Sequence, residues 1–187
     1  MIRELCVCPL IPSLTTKTEL LLLLHYREER KPTNTGRLAV LALNNSRVVV
    51  TGDRERPLPL PLVKDDRQPL LLYPAEDALP LDVAIARLDH DRAVTLIVPD
   101  GNWRQASKAR MRIPGLREVP CVTLPAGPPT SYRLRHEPKE GGLATLEAIA
   151  RALAILEGRH VHDALLVPFL AMVERTLGLR GQHAQTR

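Results

Sequence analysis

Ala93-Val94-Thr95-Leu96-Ile97-Val98-Pro99-Asp100-Gly101-Asn102-Trp103-Arg104-Gln105-Ala106-Ser107-Lys108 is the stretch that decides the fold. Residues 93–98 are an apolar, β-branched run and read as a buried strand. Pro99 and Gly101 break it, and a helix-compatible segment follows from Asn102. An acid on a tight turn between the C-terminal end of a strand and a helix sits where open α/β sheets place ligand chemistry. The plainer alternative is that Asp100 only caps the helix and Trp103, the single tryptophan, only packs. Helical spacing predicts Trp103 and Ala106 facing inward with Ala109 or Arg110. Arg104, Lys108 and Arg112 recur every four residues and share the opposite face. With Arg110 and Arg117 they make five cations between Gly101 and Arg117, and no acid. Such a stripe is either a solvated face or a phosphate contact.

Outward from this unit, strands and helices alternate. The leucine run Glu19–His25 reads as a core strand, residues 47–51 as a β-branched strand, and 70–73 and 118–124 as two more. A helix is predicted from Asn34 or Thr35 through Leu43, its open N–H groups suited to a phosphate or carboxylate. A short helix follows from Asp82, with Leu81, Ile85 and Leu88 on one face. Gly141 and Gly142 open the best helix, whose Leu146, Ile149, Leu153 and Leu156 are spaced for burial, and Glu147 suits its N-terminal dipole. A last amphipathic segment covers about 163–177, kinked or started by Pro168. Residues 1–18 read as irregular, 53–69 as a surface connection, and 181–187 as a frayed tail. The prediction is one α/β domain over 1–187, a mostly parallel sheet flanked by helices. No glycine-rich dinucleotide or triphosphate motif is present.

Composition bounds the rest. Aromatics are 3% of 187 residues, so Leu, Val, Ile and Ala must build the core. A net charge of +5 favours a polyanionic partner without requiring one. Three cysteines, Cys6, Cys8 and Cys121, make no disulfide framework, which points to a reducing, cytoplasmic compartment. No signal peptide or membrane span is expected, since Leu20 to Leu24 is far too short. Cys6 and Cys8 are half of a thiolate site at most.

Further motifs sharpen the reading. Ser131-Tyr132-Arg133 sets a hydroxyl, a phenol and a guanidinium side by side, and Ala144-Thr145-Leu146-Glu147-Ala148 follows. Upstream stand Cys6-Val7-Cys8 and, after His25 and Glu28, Lys31-Pro32-Thr33-Asn34-Thr35-Gly36-Arg37. With Asp100-Gly101-Asn102-Trp103-Arg104-Gln105-Ala106, these pieces resemble the DTW-domain family, in the family's order, over roughly residues 5–160. Asn102 replaces the motif's threonine; both side chains are short hydrogen-bonding groups. Similar proteins often carry a further Cys-x-x-Cys pair implying zinc, whereas only Cys6 and Cys8 stand here, so no metal is expected.

The resemblance implies a SPOUT-like fold with a C-terminal trefoil knot. It also implies transfer of the 3-amino-3-carboxypropyl group of S-adenosylmethionine to N3 of a tRNA uridine, with release of 5'-methylthioadenosine. On that reading Asp100 is the expected general base and Glu147 the second choice, because uridine N3 must lose a proton. Arg133 would pair with the carboxylate of the methionine moiety, helped by Ser131 and Tyr132. Val98, Pro99, Gly101, Leu124, Leu143 and Thr145 would line the adenosine. Arg37, Arg104, Lys108 and Arg112 would carry RNA phosphates. DNA and membrane partners are not expected, and the protein would be a monomer or homodimer. The rival expectations are the same transfer on ribosomal RNA, a SPOUT-type RNA methyltransferase releasing S-adenosylhomocysteine, and a non-catalytic RNA-binding module.

Overall fold

The leucine run decides the layers because both of its faces are buried. The computed structural model describes residues 5–31, 34–132, 134 and 142–185. Among them six strands form one all-parallel sheet. In chain order the elements are β1 (Glu19–His25), α1 (Gly36–Ala42), β2 (Ser46–Thr51), β3 (Arg67–Leu72), β4 (Leu79–Pro80), α2 (Leu81–Ile85), β5 (Ala93–Asp100), α3 (Trp103–Arg112), β6 (Cys121–Thr123), α4 (Thr145–Leu156) and α5 (Arg159–Gln185). The strand order is β2-β1-β5-β3-β6-β4. Unbroken apolar strands are what a sheet covered on both faces requires.

Alternate side chains of β1 serve different cores. Leu20 and Leu22 join Leu96 and Val98 of β5 under Ala39 of α1, Ile149 and Leu153 of α4, and Leu165 and Phe169 of α5. Leu21 and Leu23 join Ile97 and Leu71 on the other face, beneath Ile113 and Leu116 after α3 and Leu62 of the 53–66 connection. Phe169, the single phenylalanine, is fully buried.

Four adjacent strands are stitched at their N-terminal ends by one carboxylate. Glu19 of β1 stands opposite Thr95 of β5. It accepts Thr95 Oγ1 at 2.8 Å and Arg47 Nε of β2 at 2.9 Å, and lies 3.6 Å from Arg67 Nε of β3. Burial pushes its carboxyl up, but the bonds from Thr95 and Arg47 and the charges of Arg47 and Arg67 outweigh burial and leave it below the usual range. A folded-state value below the unfolded one means the stabilisation is present at neutral pH and is lost as pH falls through the acid range below about 4.3. Glu19→Gln is expected to cost about 2 kcal/mol at pH 7. In thermal melts the gap to the unmodified protein should narrow towards pH 3; a gap independent of pH would show that the charge is immaterial.

Several boundaries differ from the sequence reading. β5 extends through Pro99 and Asp100, because Leu23 and Leu24 of β1 continue the ladder alongside them. β3 begins at Arg67, inside the predicted connection, and pairs with Ala93 to Ile97. β6 is only Cys121–Thr123, since its neighbours offer partners over so short a length. β4 has two residues and left no periodic signal. α5 starts at Arg159, carries Pro168 inside it, and its helical backbone continues to Gln185 past Gly181. Gly158 makes the turn from α4 to α5 at φ +113°, a conformation that favours glycine. Among the described residues no helix is long and apolar enough to cross a membrane.

Candidate active site

The sheet topology opens a crevice beside Asp100. β1 and β5 are neighbours. The chain leaves β1 through α1 towards β2 on one edge, and leaves β5 through α3 towards β6, beyond β3. α1 packs on one face of the sheet and the end of α3 on the other. Connections that diverge from adjacent parallel strands leave a gap at the carboxyl ends, where α/β sheets bind ligands. A cleft of about 730 Å³ lies there. Its walls are the β1–α1 connection, the ends of β3, β5 and β6, the Pro-rich turn 125–129, and the first turns of α3 and α4. That volume suits a ligand of nucleoside size.

Asp100 is 7% exposed and held on both oxygens. Asn34 Nδ2 donates to Oδ2 at 2.5 Å, and Thr145 Oγ1, at the start of α4, donates to Oδ1 at 2.6 Å. Asn34 is positioned in turn, its Oδ1 accepting Arg37 N at 3.0 Å. Thr35 accepts Leu146 N at 3.4 Å, tying the β1–α1 connection to α4. Gly36 completes the seat: a Cβ there would lie 2.8 Å from Asp100 Oδ2 and 3.0 Å from a Leu22 methyl. Two distant segments, the β1–α1 connection and the start of α4, therefore converge on one carboxylate.

The helix start after Asp100 explains the Asn-Trp-Arg-Gln run. Asn102 Oδ1 accepts Gln105 N at 2.9 Å, and Gln105 Oε1 accepts Asn102 N at 2.8 Å, a reciprocal cap. A threonine hydroxyl can make the same bond, so Asn102 is chemically equivalent at this position. Asp100 is therefore released from capping, and Asn102 does that work. Trp103 departs from the expected inward orientation: it is 37% exposed, lines the cleft, and meets Tyr73 with ring centroids 6.3 Å apart. The first turn of α3 projects past the end of the sheet, so only Ala106 and later residues reach the core.

Val98, Pro99, Gly101, Leu124, Tyr132, Leu143 and Thr145 all line the cleft. Tyr132 is buried and stacks on Phe169 at 5.8 Å. Ser131 is exposed and outside the lining; its backbone N–H donates to Glu147 Oε1 at 2.7 Å. Glu147 is buried and also outside the lining. Its Oε2 accepts Thr130 Oγ1 at 2.5 Å and Ala144 N at 3.0 Å. Three donors thus occupy Glu147, which fastens the 130–132 segment to the start of α4. Arg133 lies outside the described residues. Arg104, Lys108 and Arg112 are exposed on α3, away from the lining. Arg37 is exposed and donates to Glu29 O at 2.8 Å.

His25 ends β1 and accepts Arg27 N on Nδ1 at 3.3 Å. Burial, then the charges of Arg27 and Lys31, hold its imidazole below the usual histidine range despite Glu28. Its ring caps the turn that follows β1. Cys6 is half-buried and Cys8 exposed. Among the described residues no group of three or more His, Cys, Asp or Glu side chains could hold a metal ion.

Sequence reasoning missed Asn34 and Gly36 as neighbours of Asp100, Thr35 as the tie to α4, and Glu28, Lys31 and Arg151 as cleft residues. Asn34 and Thr35 stood out only as possible helix caps. The Asn-Thr-Gly run leading from β1 into α1 was the available signal.

Comparison with known proteins bears on this cleft. The DTW domain matches residues 1–177. A protein named tRNA-uridine aminocarboxypropyltransferase 2 from Drosophila melanogaster is 33% identical over 162 residues, covering 82% of this chain and 63% of that protein. Proteins of the same name from Macaca fascicularis and Mus musculus are 31% and 32% identical over 180 residues, covering 91% of this chain and 59% of each. The chain thus spans about three fifths of the length of the curated relatives it matches. Among solved structures, the SAM-dependent rRNA:acp-transferase Tsr3 from Vulcanisaeta distributa is similar, with a TM-score of 0.52 over 89% of this chain and 81% of that one. At 17% identity that likeness concerns the fold alone.

Proposed function

Because the chain belongs to the DTW domain family, we propose that it transfers the 3-amino-3-carboxypropyl group of S-adenosylmethionine to N3 of a tRNA uridine. The single observation that carries this reading is Asp100, buried in a nucleoside-sized cleft and held by Asn34 and Thr145. The names of the curated relatives agree with it. So does the lining, in which Val98, Leu124 and Leu143 supply apolar surface for an adenosine.

When bound, S-adenosylmethionine supplies an electrophilic γ-carbon and a neutral thioether as leaving group. Asp100 accepts the N3 proton of the uracil. The N3 electron pair forms the N–C bond as the C–S bond breaks, and that bonding pair goes to sulfur. The products are the N3-substituted uridine and 5'-methylthioadenosine, and the proton leaves from Asp100. Holding the reacting atoms in line supplies much of the acceleration. Asn34, Thr145 and Gly36 keep the carboxylate in one orientation. Glu147 is assigned a positioning role, shaping the 130–132 segment, and Arg133 the carboxylate of the methionine moiety. Arg37, Arg104, Lys108 and Arg112 are assigned to RNA phosphates, and the compartment to the cytoplasm. The trefoil knot implied by the resemblance belongs to the same reading.

The test is one incubation with S-adenosylmethionine and unmodified tRNA transcripts, read by mass spectrometry of nucleosides and by-product. Aminocarboxypropyl-uridine with methylthioadenosine is the expected result. A methylated nucleoside with S-adenosylhomocysteine would overturn the assigned transfer. Product from ribosomal RNA alone would move the substrate while keeping the chemistry. Binding of tRNA with no affinity for S-adenosylmethionine would leave a binding module.

A further inference from the structure

Two backbone hydrogen bonds, each linking residues three apart, run in succession along the connection from β1 to α1. Lys31 N donates to Glu28 O at 3.1 Å, and Asn34 N donates to Lys31 O at 3.1 Å. These bonds join Glu28, Lys31 and Asn34 into one column of contacts. All three line the cleft. The column ends on Asp100, through the bond from Asn34 Nδ2 to Asp100 Oδ2.

The middle of the column is a cation on a buried anchor. Lys31 Nζ lies 2.6 Å from Glu28 Oε1, and the two side chains are 47% and 9% exposed respectively. An ammonium has three N–H donors, and Glu28 takes one of them. Glu28 holds the head of Lys31 at the cleft wall without using up its capacity to donate. A plain surface ion pair does not need a buried carboxylate or a place in a ligand-sized cleft.

We propose that Lys31 is a catalytic group, donating to a carbonyl oxygen of the target uracil beside the N3–H that Asp100 accepts. This rests on the transfer proposed above. Uracil presents an imide N–H flanked by two carbonyl oxygens, so a reader needs an acceptor with a donor beside it. Asp100 and Lys31 are that pair. When the N3 proton passes to Asp100, the remaining charge is shared between N3 and the flanking oxygens. A fixed ammonium at one of those oxygens stabilises charge where it develops. As N3 forms its bond to carbon and the C–S pair leaves with sulfur, the carbonyl is restored. Lys31 keeps all its protons throughout. Cytosine has no N3 proton and sets a lone pair against Asp100, so it is refused by the same column.

The test uses Lys31→Met, which keeps the length of the stem, and the double variant Glu28→Gln/Lys31→Met, which leaves no unpaired carboxylate. Three quantities are measured: S-adenosylmethionine affinity by calorimetry, the single-turnover rate on a uridine transcript, and the rate on the same transcript carrying 5-fluorouridine. Fluorine withdraws electrons and makes N3–H more acidic. For both variants, cofactor affinity should stay within about twofold while the rate on uridine falls about 10²-fold. The 5-fluorouridine transcript should recover about tenfold of that loss in the variants and gain little in the unmodified protein. Lys31→Arg, which keeps the charge, should retain most of the rate.

An unchanged rate, or a loss that 5-fluorouridine leaves untouched, overturns the proposal. A cofactor affinity falling in step with the rate also overturns it, and gives Lys31 to the methionine carboxylate instead. If the unmodified protein makes no aminocarboxypropyl-uridine on any transcript, the transfer itself is removed, and that is seen before any variant is made.

Discussion

Asp100→Asn is expected to lower single-turnover aminocarboxypropyl transfer by about 10² to 10⁴-fold, the range for loss of a general base. Affinity for S-adenosylmethionine should change little, because shape and apolar lining are kept. The introduced amide is nearly isosteric but uncharged, with one oxygen and one NH₂ in place of two acceptors. Thr145 Oγ1 and Asn34 Nδ2 both donate to the native carboxylate. With an amide present, its oxygen can accept Asn34 Nδ2 while its NH₂ faces Thr145, whose hydroxyl must then turn to accept. Loss of the charge from both bonds costs about 1 kcal/mol of stability. Stability and chemistry can be separated with the exchange Asn34→Asp/Asp100→Asn. That pair restores a carboxylate–amide bond with its polarity reversed and should recover most of the melting temperature. It should not recover turnover, because the carboxylate then lies on the α1 side of the bond. Full activity in Asp100→Asn would remove Asp100 as the base.

Gly36→Ala should lower both stability and activity, against what helix propensity alone predicts. Gly36 opens α1, and alanine in a helix interior is favoured over glycine by about 1 kcal/mol. Here the added methyl would lie 2.8 Å from Asp100 Oδ2 and 3.0 and 3.2 Å from the two Leu22 methyls. Leu22 is fully buried between α1 and the sheet, so neither neighbour can yield freely. Overpacking of this kind costs about 1–3 kcal/mol. The carboxylate is the more mobile neighbour and would be pushed from the Asn34 and Thr145 donors. Misplacing a reacting group by about 1 Å can cost 10²-fold in rate. The measurements are a thermal melt and single-turnover kinetics on one preparation. A variant as active as the parent and more stable would show that the contact at Gly36 relaxes harmlessly.

Both expectations turn on contacts that no local reading of the chain reveals. Asn34 and Asp100 are 66 residues apart, and Thr145 and Asp100 are 45 apart. Asn34 looked like a helix cap because a short amide before an apolar helix has that local signature. Its amide oxygen does accept a backbone N–H of α1, while its NH₂ is spent on Asp100. Glu147 looked like an acid at a helix N-terminus, which it is; its saturation by Thr130, Ser131 and Ala144 depends on where the 130–132 segment folds back. Trp103 was misjudged for a related reason. Helical periodicity says which residues share a face, but it does not say where the sheet beneath that face ends.

By itself the sequence determined what depends on period, local propensity and motif order. The leucine run read as a core strand. The apolar run before Pro99 and Gly101 pointed to a strand delivering Asp100 to a turn, with a helix-compatible segment from Asn102. Those are short-range effects, in which each residue acts on neighbours within a turn or a ladder step. The tertiary structure decided the rest. Parallel pairing set β1 beside β5, diverging connections opened the cleft, and the packing of α1 and α4 brought Asn34, Gly36 and Thr145 onto one carboxylate. Register and layer packing bring together residues far apart in the chain, and their side-chain chemistry leaves no periodic trace along it.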